Sequence, residues 1–287
     1  MRPIWKFSRP KGPGFGISAN MYLTVLAARA ALPTLRMVID PKGEQGAVQG
    51  FGVPLAKSST REDLDRPLAR GEYGLASPDR KTVVRMRVLS KEEVGFDPAP
   101  FLRSKIAEGA SDELKARVSA TWTLMQLTFE THDAEVYPAL RFLGELSRRL
   151  GELTEGVVAD PISQRYRLPH EVLPGTDQGA SASEHVVVHA AGRDAFTLGL
   201  QKFALPELEI KDVPEGLDGP ASKLLLGLAQ RALNGEALEV GARVGGKSAL
   251  LELAPGGLDR GRWEGIACLE IIPTRGRTLA DGLAEMA

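Results

Sequence analysis

Between residues 83 and 89, Val84, Met86 and Val88 alternate with Arg85 and Arg87, a period of two that predicts a strand with one wet face. A second alternation covers residues 121–129, with Trp122, Leu124, Gln126 and Thr128 on one side and Thr123, Met125, Leu127 and Phe129 on the other. Between them, Asp97 and Pro98 read as the start of a helix through about residue 107, and Ser111 opens another short one. The period then changes. Val136, Ala139, Leu140, Leu143, Leu146 and Leu150 form one apolar stripe at helical spacing, which Asp133 is placed to cap. Arg141, Glu145, Arg148, Arg149 and Glu152 lie off that stripe, with Glu145 and Arg149 spaced as an i,i+4 pair. Val157, Val158, Ala159 and Asp160 follow as a short buried strand, completing a strand-helix-strand unit.

Residues 170–184 are rich in Gly, Ser and Pro and read as loop. A second unit is expected beyond it: a strand over 185–190, a helix near 194–203 and a strand over 208–213. A helix over 221–233 follows, with Pro220 before it and Asn234-Gly235 closing it. The chain then offers three short strands at 237–240, 249–253 and 266–272. The region 1–80 is less regular, with one short strand at 35–39 ended by Asp40-Pro41 and a polar connector over 57–81. The reading is α+β: ferredoxin-like strand-helix-strand units in a mainly antiparallel sheet over 82–287, preceded by an N-terminal region over 1–80.

The chain of 287 residues is 43% apolar and 25% charged, which is globular composition, and its net charge of -1 supplies no field for nucleic acid or an anionic membrane. Charge is uneven, however. Arg2, Lys6, Arg9, Lys11, Arg29 and Arg36 precede the first acid, Asp40, so a basic N-terminal arm is a candidate contact for another protein or a sister subunit. A single cysteine, Cys268, excludes an internal disulfide framework, fits a reducing cytoplasmic compartment, and sits in an apolar run as an inert thiol. Residues 21–32 are apolar but short and interrupted by Thr24 and Arg29, which argues against a membrane span.

Residues 241–248 match the phosphate-cradling pattern GxxxxGK[ST], with Gly241, Gly246, Lys247 and Ser248 at its defining positions. A working cradle needs a helix of several turns beyond the serine, its positive end aimed at the phosphates. Only six residues separate Ser248 from Pro255, so the preferred reading is a hairpin turn, and a phosphate- or nucleotide-binding enzyme is the alternative. No metal set is expected. His185 and His189 flank three valines, and on a strand their side chains would stand about 13 Å apart. His132 beside Asp133 reads as part of a helix start, and His170 has no companion. The acids Glu207, Glu209, Asp212, Glu215 and Asp218 read as the exposed face of an edge strand. Arg165, Tyr166 and Arg167 are a weak candidate clamp for a phosphate or carboxylate. Residues 16–20 lack the last glycine of a nucleophile elbow.

Thr197, Gly199, Leu200, Phe203 and the segment from Leu205 through Pro206, Glu207 and Leu208 to Glu209, supported by Gly156 to Asp160, carry a resemblance. From residue 82 to about 273 the chain resembles a bacterial family described as a domain of unknown function. In similar sequences Phe196 and Leu198 are polar or histidine and Ala204 is glycine. The resemblance implies no established activity and no cofactor. Taken together, these readings favour a non-catalytic protein-interaction or assembly module over an enzyme.

Overall fold

Strand β5 (Thr123–Phe129) carries the predicted alternation into the core, for Met125 and Leu127 are fully buried while Leu124, Gln126 and Thr128 turn to the opposite, half-covered face. In the computed structural model, residues 16–18, 21–39, 53–54, 64–130, 135–173, 175–176 and 179–286 are described. They build two sheets. The first has seven strands: β1 (Tyr22–Ala27), β2 (Val53–Pro54), β3 (Gly71–Ala76), β4 (Val83–Ser90), β5, β6 (Val157–Asp160) and β7 (Arg165–Arg167). Their order is β2-β3-β4-β5-β1-β6-β7, with each neighbouring pair antiparallel.

Because β5 and β6 both run antiparallel to β1, they are parallel to each other with β1 between them. The crossover between them contains the long helix Val136–Leu153, which makes a split strand-helix-strand unit of ferredoxin-like kind. That helix buries the predicted stripe, from Val136 through Leu143 to Leu150. Each of its large apolar side chains contributes about 1.5–3 kcal/mol by leaving water. The expected cap, Asp133, lies outside the described residues, as does His132. The expected pair of Glu145 with Arg149 does not form: Arg149 turns inward and donates to the Met37 carbonyl at 3.2 Å, while Arg141 takes Glu145 and Arg148 takes Glu152.

The second sheet has order β11-β12-β13-β10-β9-β8, from β8 (Val187–Ala191), β9 (Asp194–Leu198), β10 (Glu207–Ile210), β11 (Arg243–Val244), β12 (Leu251–Pro255) and β13 (Cys268–Pro273). Its pairs are antiparallel except β10 with β13, which run parallel. The sheets' apolar faces and the helices Val136–Leu153 and Asp218–Leu233 share one continuous core.

Four local expectations are corrected. Residues 194–203 hold a strand and a single 3-10 turn (Leu200–Phe203), because Ala195, Phe196 and Thr197 pack as the second strand of a hairpin with β8. The second strand-helix-strand connection therefore starts at β10, passes through helix Asp218–Leu233 and returns at β13. Residues 35–39 form a helical turn, started by the Thr34 hydroxyl accepting from the Met37 amide at 3.2 Å. The strand placed at 237–240 lies instead at Arg243–Val244. Lastly, part of the polar connector is β3, and the apolar run from residue 21 is β1, at the centre of the first sheet. The partition expected near residue 80 therefore cuts through one sheet, and the change from one sheet to the other falls between β7 and β8.

Candidate functional site

Where the two sheets meet, Asp160 at the end of β6 forms an ion pair with Lys202 in the 3-10 turn after β9. The lysine side chain is wholly buried and the aspartate nearly so. Burial pushes the Asp160 carboxyl up, but the Lys202 ammonium and donors from Ser163 outweigh it and hold the acid below its ordinary value. Burial likewise lowers Lys202, against the attraction of Asp160. The Ser163 amide donates to Asp160 at 3.2 Å, and its buried hydroxyl approaches the same carboxylate without reaching hydrogen-bond geometry. The imidazole of His185 packs edge-on against Phe203 and is held neutral, with its pKa lowered to about 3 by burial and then by Lys202.

Arg165 and Arg167, the proposed clamp, do grip carboxyl and carbonyl oxygens, but those of their own chain. Arg165 donates to the carbonyls of Ser183 and Val186, and Arg167 to both the side chain and the carbonyl of Glu184. The Ser18 amide adds a bond to the Lys202 carbonyl at 2.7 Å. This junction fastens the edge of one sheet to the other.

Glu207 and Glu209 correct the edge-strand reading. Both are fully buried, because β10 lies between β9 and β13 rather than at an edge. Glu207 accepts from the Thr197 hydroxyl at 2.7 Å and from the amides of Gly199 and Gln201 at 2.8 and 3.0 Å. It ties down the turn that presents Lys202. Desolvation still leaves its carboxyl above the ordinary value. Gly199 has φ +131, and a Cβ there would overlap the His185 carbonyl oxygen, so only glycine fits. Glu209 accepts from the Gly257 amide and the Trp263 indole, each at 2.8 Å. Both acids were visible in the sequence; their partners, 6 to 54 residues away, were not. Cys268 lies beside them, its thiol pushed up first by burial and then by Glu209 and Glu207.

Gly246, Lys247 and Ser248 stand in the turn between β11 and β12, where Val244 pairs with Leu251; Gly241 precedes β11. No helix follows Ser248, and the next element is a strand. A carboxylate does rest on this turn: Glu285 accepts from the Ser248 amide at 3.2 Å. Of the remaining candidates, His170 is exposed in a 3-10 turn, and His189 stacks on Phe196 with Nε2 3.3 Å from the Ser163 carbonyl. Among the described residues, no three His, Cys, Asp or Glu side chains are grouped to hold a metal ion, and no helix is long and apolar enough to cross a membrane. Arg29 pairs with Glu155 and Arg36 with Asp65, while Arg2, Lys6, Arg9 and Lys11 lie outside the described residues.

On the first sheet's other face, Tyr22, Thr24, Arg87, Leu89, Val94, Leu124 and Gln126 line an open groove of about 510 Å³. At the start of β5 stands Trp122, 53% exposed, with the Lys91 ammonium 4.7 Å from its ring centre. Trp122 is one of three dispersed tryptophans that the sequence offers as core or interface anchors, whereas nothing in the sequence marks Lys91. An exposed tryptophan in an alternating strand was the available signal.

Compared with known proteins, the chain matches no family model, no curated protein and no solved structure.

Proposed function

We propose that this is a non-catalytic, cytoplasmic interaction or assembly module that docks another protein, or a second copy of itself, on the part of the first sheet's second face left uncovered by the short helices that pack on Leu26 and Val157. The observation that carries the reading is Trp122: a large indole kept half out in water beside Lys91, two residues before Leu124, which with Leu89 and Val94 lines the groove on that face. Exposed aromatic anchors beside a shallow apolar groove are the usual energetic centres of protein interfaces. The buried ionisable groups support the same reading, since Asp160, Lys202, Glu207 and Glu209 spend their hydrogen bonds on the chain itself. We also place the chain with the bacterial sequences it resembles. The two segments behind that resemblance, 156–160 and 197–209, are those that meet at the Asp160–Lys202 pair.

The test compares the wild-type chain with Trp122→Ser and Leu89→Asp, measuring mass by sedimentation velocity over rising concentration and capture of partners from the native cell. Loss of self-association or of a specific partner in both variants, with far-UV dichroism unchanged, supports the reading. Identical mass and identical capture in all three proteins refute it.

A further inference from the structure

The Gly-Lys turn between β11 and β12 has an anion on it already. Glu285 lies immediately beyond the helix Leu279–Ala284, and its Oε2 accepts from the Ser248 amide at 3.2 Å. The two segments touch closely: a Cβ built on Gly246 would lie 2.6 Å from the Glu285 Cβ and 2.7 Å from its Oε2, so any side chain at 246 would push the glutamate off. The position is an unfavourable one for an acid, because the carbonyls at a helix C-terminus repel a carboxylate. A cation at this end of the helix would gain what the glutamate loses. Its amide partner on the turn is therefore what makes the placement tolerable.

Two further features make the contact look like a closed site. Lys247, next to Ser248 in the chain, is exposed and makes no ion pair among the described residues, so its ammonium is not already committed to a carboxylate there. The tail is anchored on either side of Glu285. Leu283 is buried and Gly282 sits directly on Leu251, while the Met286 carbonyl accepts from Lys223 at 2.8 Å. The glutamate itself is exposed and lies past the helix end, so its side chain can swing away without unpacking the buried Gly282 and Leu283.

We propose that residues 245–248 form an oxyanion-binding turn and that Glu285 is its built-in occupant, an autoinhibitory carboxylate that yields to a phosphate group or to a carboxylate from a partner. This is a site for a single exposed oxyanion, with one loop amide and the Lys247 ammonium as donors, and it differs from a nucleotide cradle, which needs a helix that this turn does not open. It is independent of the groove around Trp122, on the other sheet.

The experiment is a titration of inorganic phosphate, and separately of acetate, into ¹⁵N-labelled full-length protein at constant ionic strength, following the Ser248 amide. It is run on wild type, Glu285→Gln and Glu285→Gln/Lys247→Ala. Expected is a saturable shift of Ser248 in Glu285→Gln, at least about fivefold weaker or absent in the wild type, and weakened again by about two- to fivefold in the double variant. Phosphate and acetate arms of unequal strength tell which oxyanion the turn prefers. A well-dispersed Glu285→Gln spectrum with no saturable shift overturns the proposal. Equal binding by wild type and Glu285→Gln overturns the autoinhibitory role.

Discussion

Lys202 reaches across forty-two residues of sequence to Asp160, and the two form a buried ion pair between sheets that share no strand. Each end is itself held: Asp160 by the Ser163 amide, and the turn bearing Lys202 by Glu207 through Gly199 and Gln201. A buried charge is costly to strand, so the pair acts as a condition on how the sheets dock more than as a source of stability.

Removing one partner should therefore hurt more than removing both. Lys202→Met or Asp160→Leu alone is expected to cost about 3–5 kcal/mol, and the double variant to recover at least half of the summed loss. Urea unfolding of the four proteins measures this, and strictly additive losses would show that the pair has no coupling.

Acid should weaken the same junction. Asp160 is held below its ordinary 3.8, so its contribution is complete above that value and is lost as pH falls through the lower folded value. Stability curves of wild type and the double variant should run parallel near neutrality and converge in that acid range. A constant gap down to the lowest accessible pH would contradict the assignment.

Gly199 and Gly192 separate backbone strain from crowding. Both have positive φ, but only at Gly199 would a Cβ meet another atom, the His185 carbonyl oxygen. Gly192→Ala is expected to cost about 1–2 kcal/mol, and Gly199→Ala at least about 3 kcal/mol with loss of the Lys202 turn. Comparable thermal shifts for the two variants would count against this account.

Ala204 offers a gain. It closes the Leu200–Phe203 turn with φ 55, left-handed backbone that suits glycine. Ala204→Gly is expected to stabilise by about 0.5–1 kcal/mol, the relief of left-handed strain exceeding the added chain entropy. A lower melting temperature for this variant would mean that the methyl group earns its place by packing.

Much of the architecture was legible because it depends on local spacing. The alternation in β4 and β5 and the stripe from Val136 to Leu150 each identify one element and its buried face, and no distant residue is needed to read them. The same holds for the turn at Lys247, where Pro255 and the nearby glycines leave no room for a helix. What the tertiary structure alone decided is which side chains share an environment. Residues 194–198 became a strand because β8 and β10 flank them, and Glu207 and Glu209 became core residues because β13 covers the edge that charge alone would have exposed. Asp160, Lys202 and Glu285 each found a partner through strand order and chain return, relationships that no periodicity within a single segment encodes.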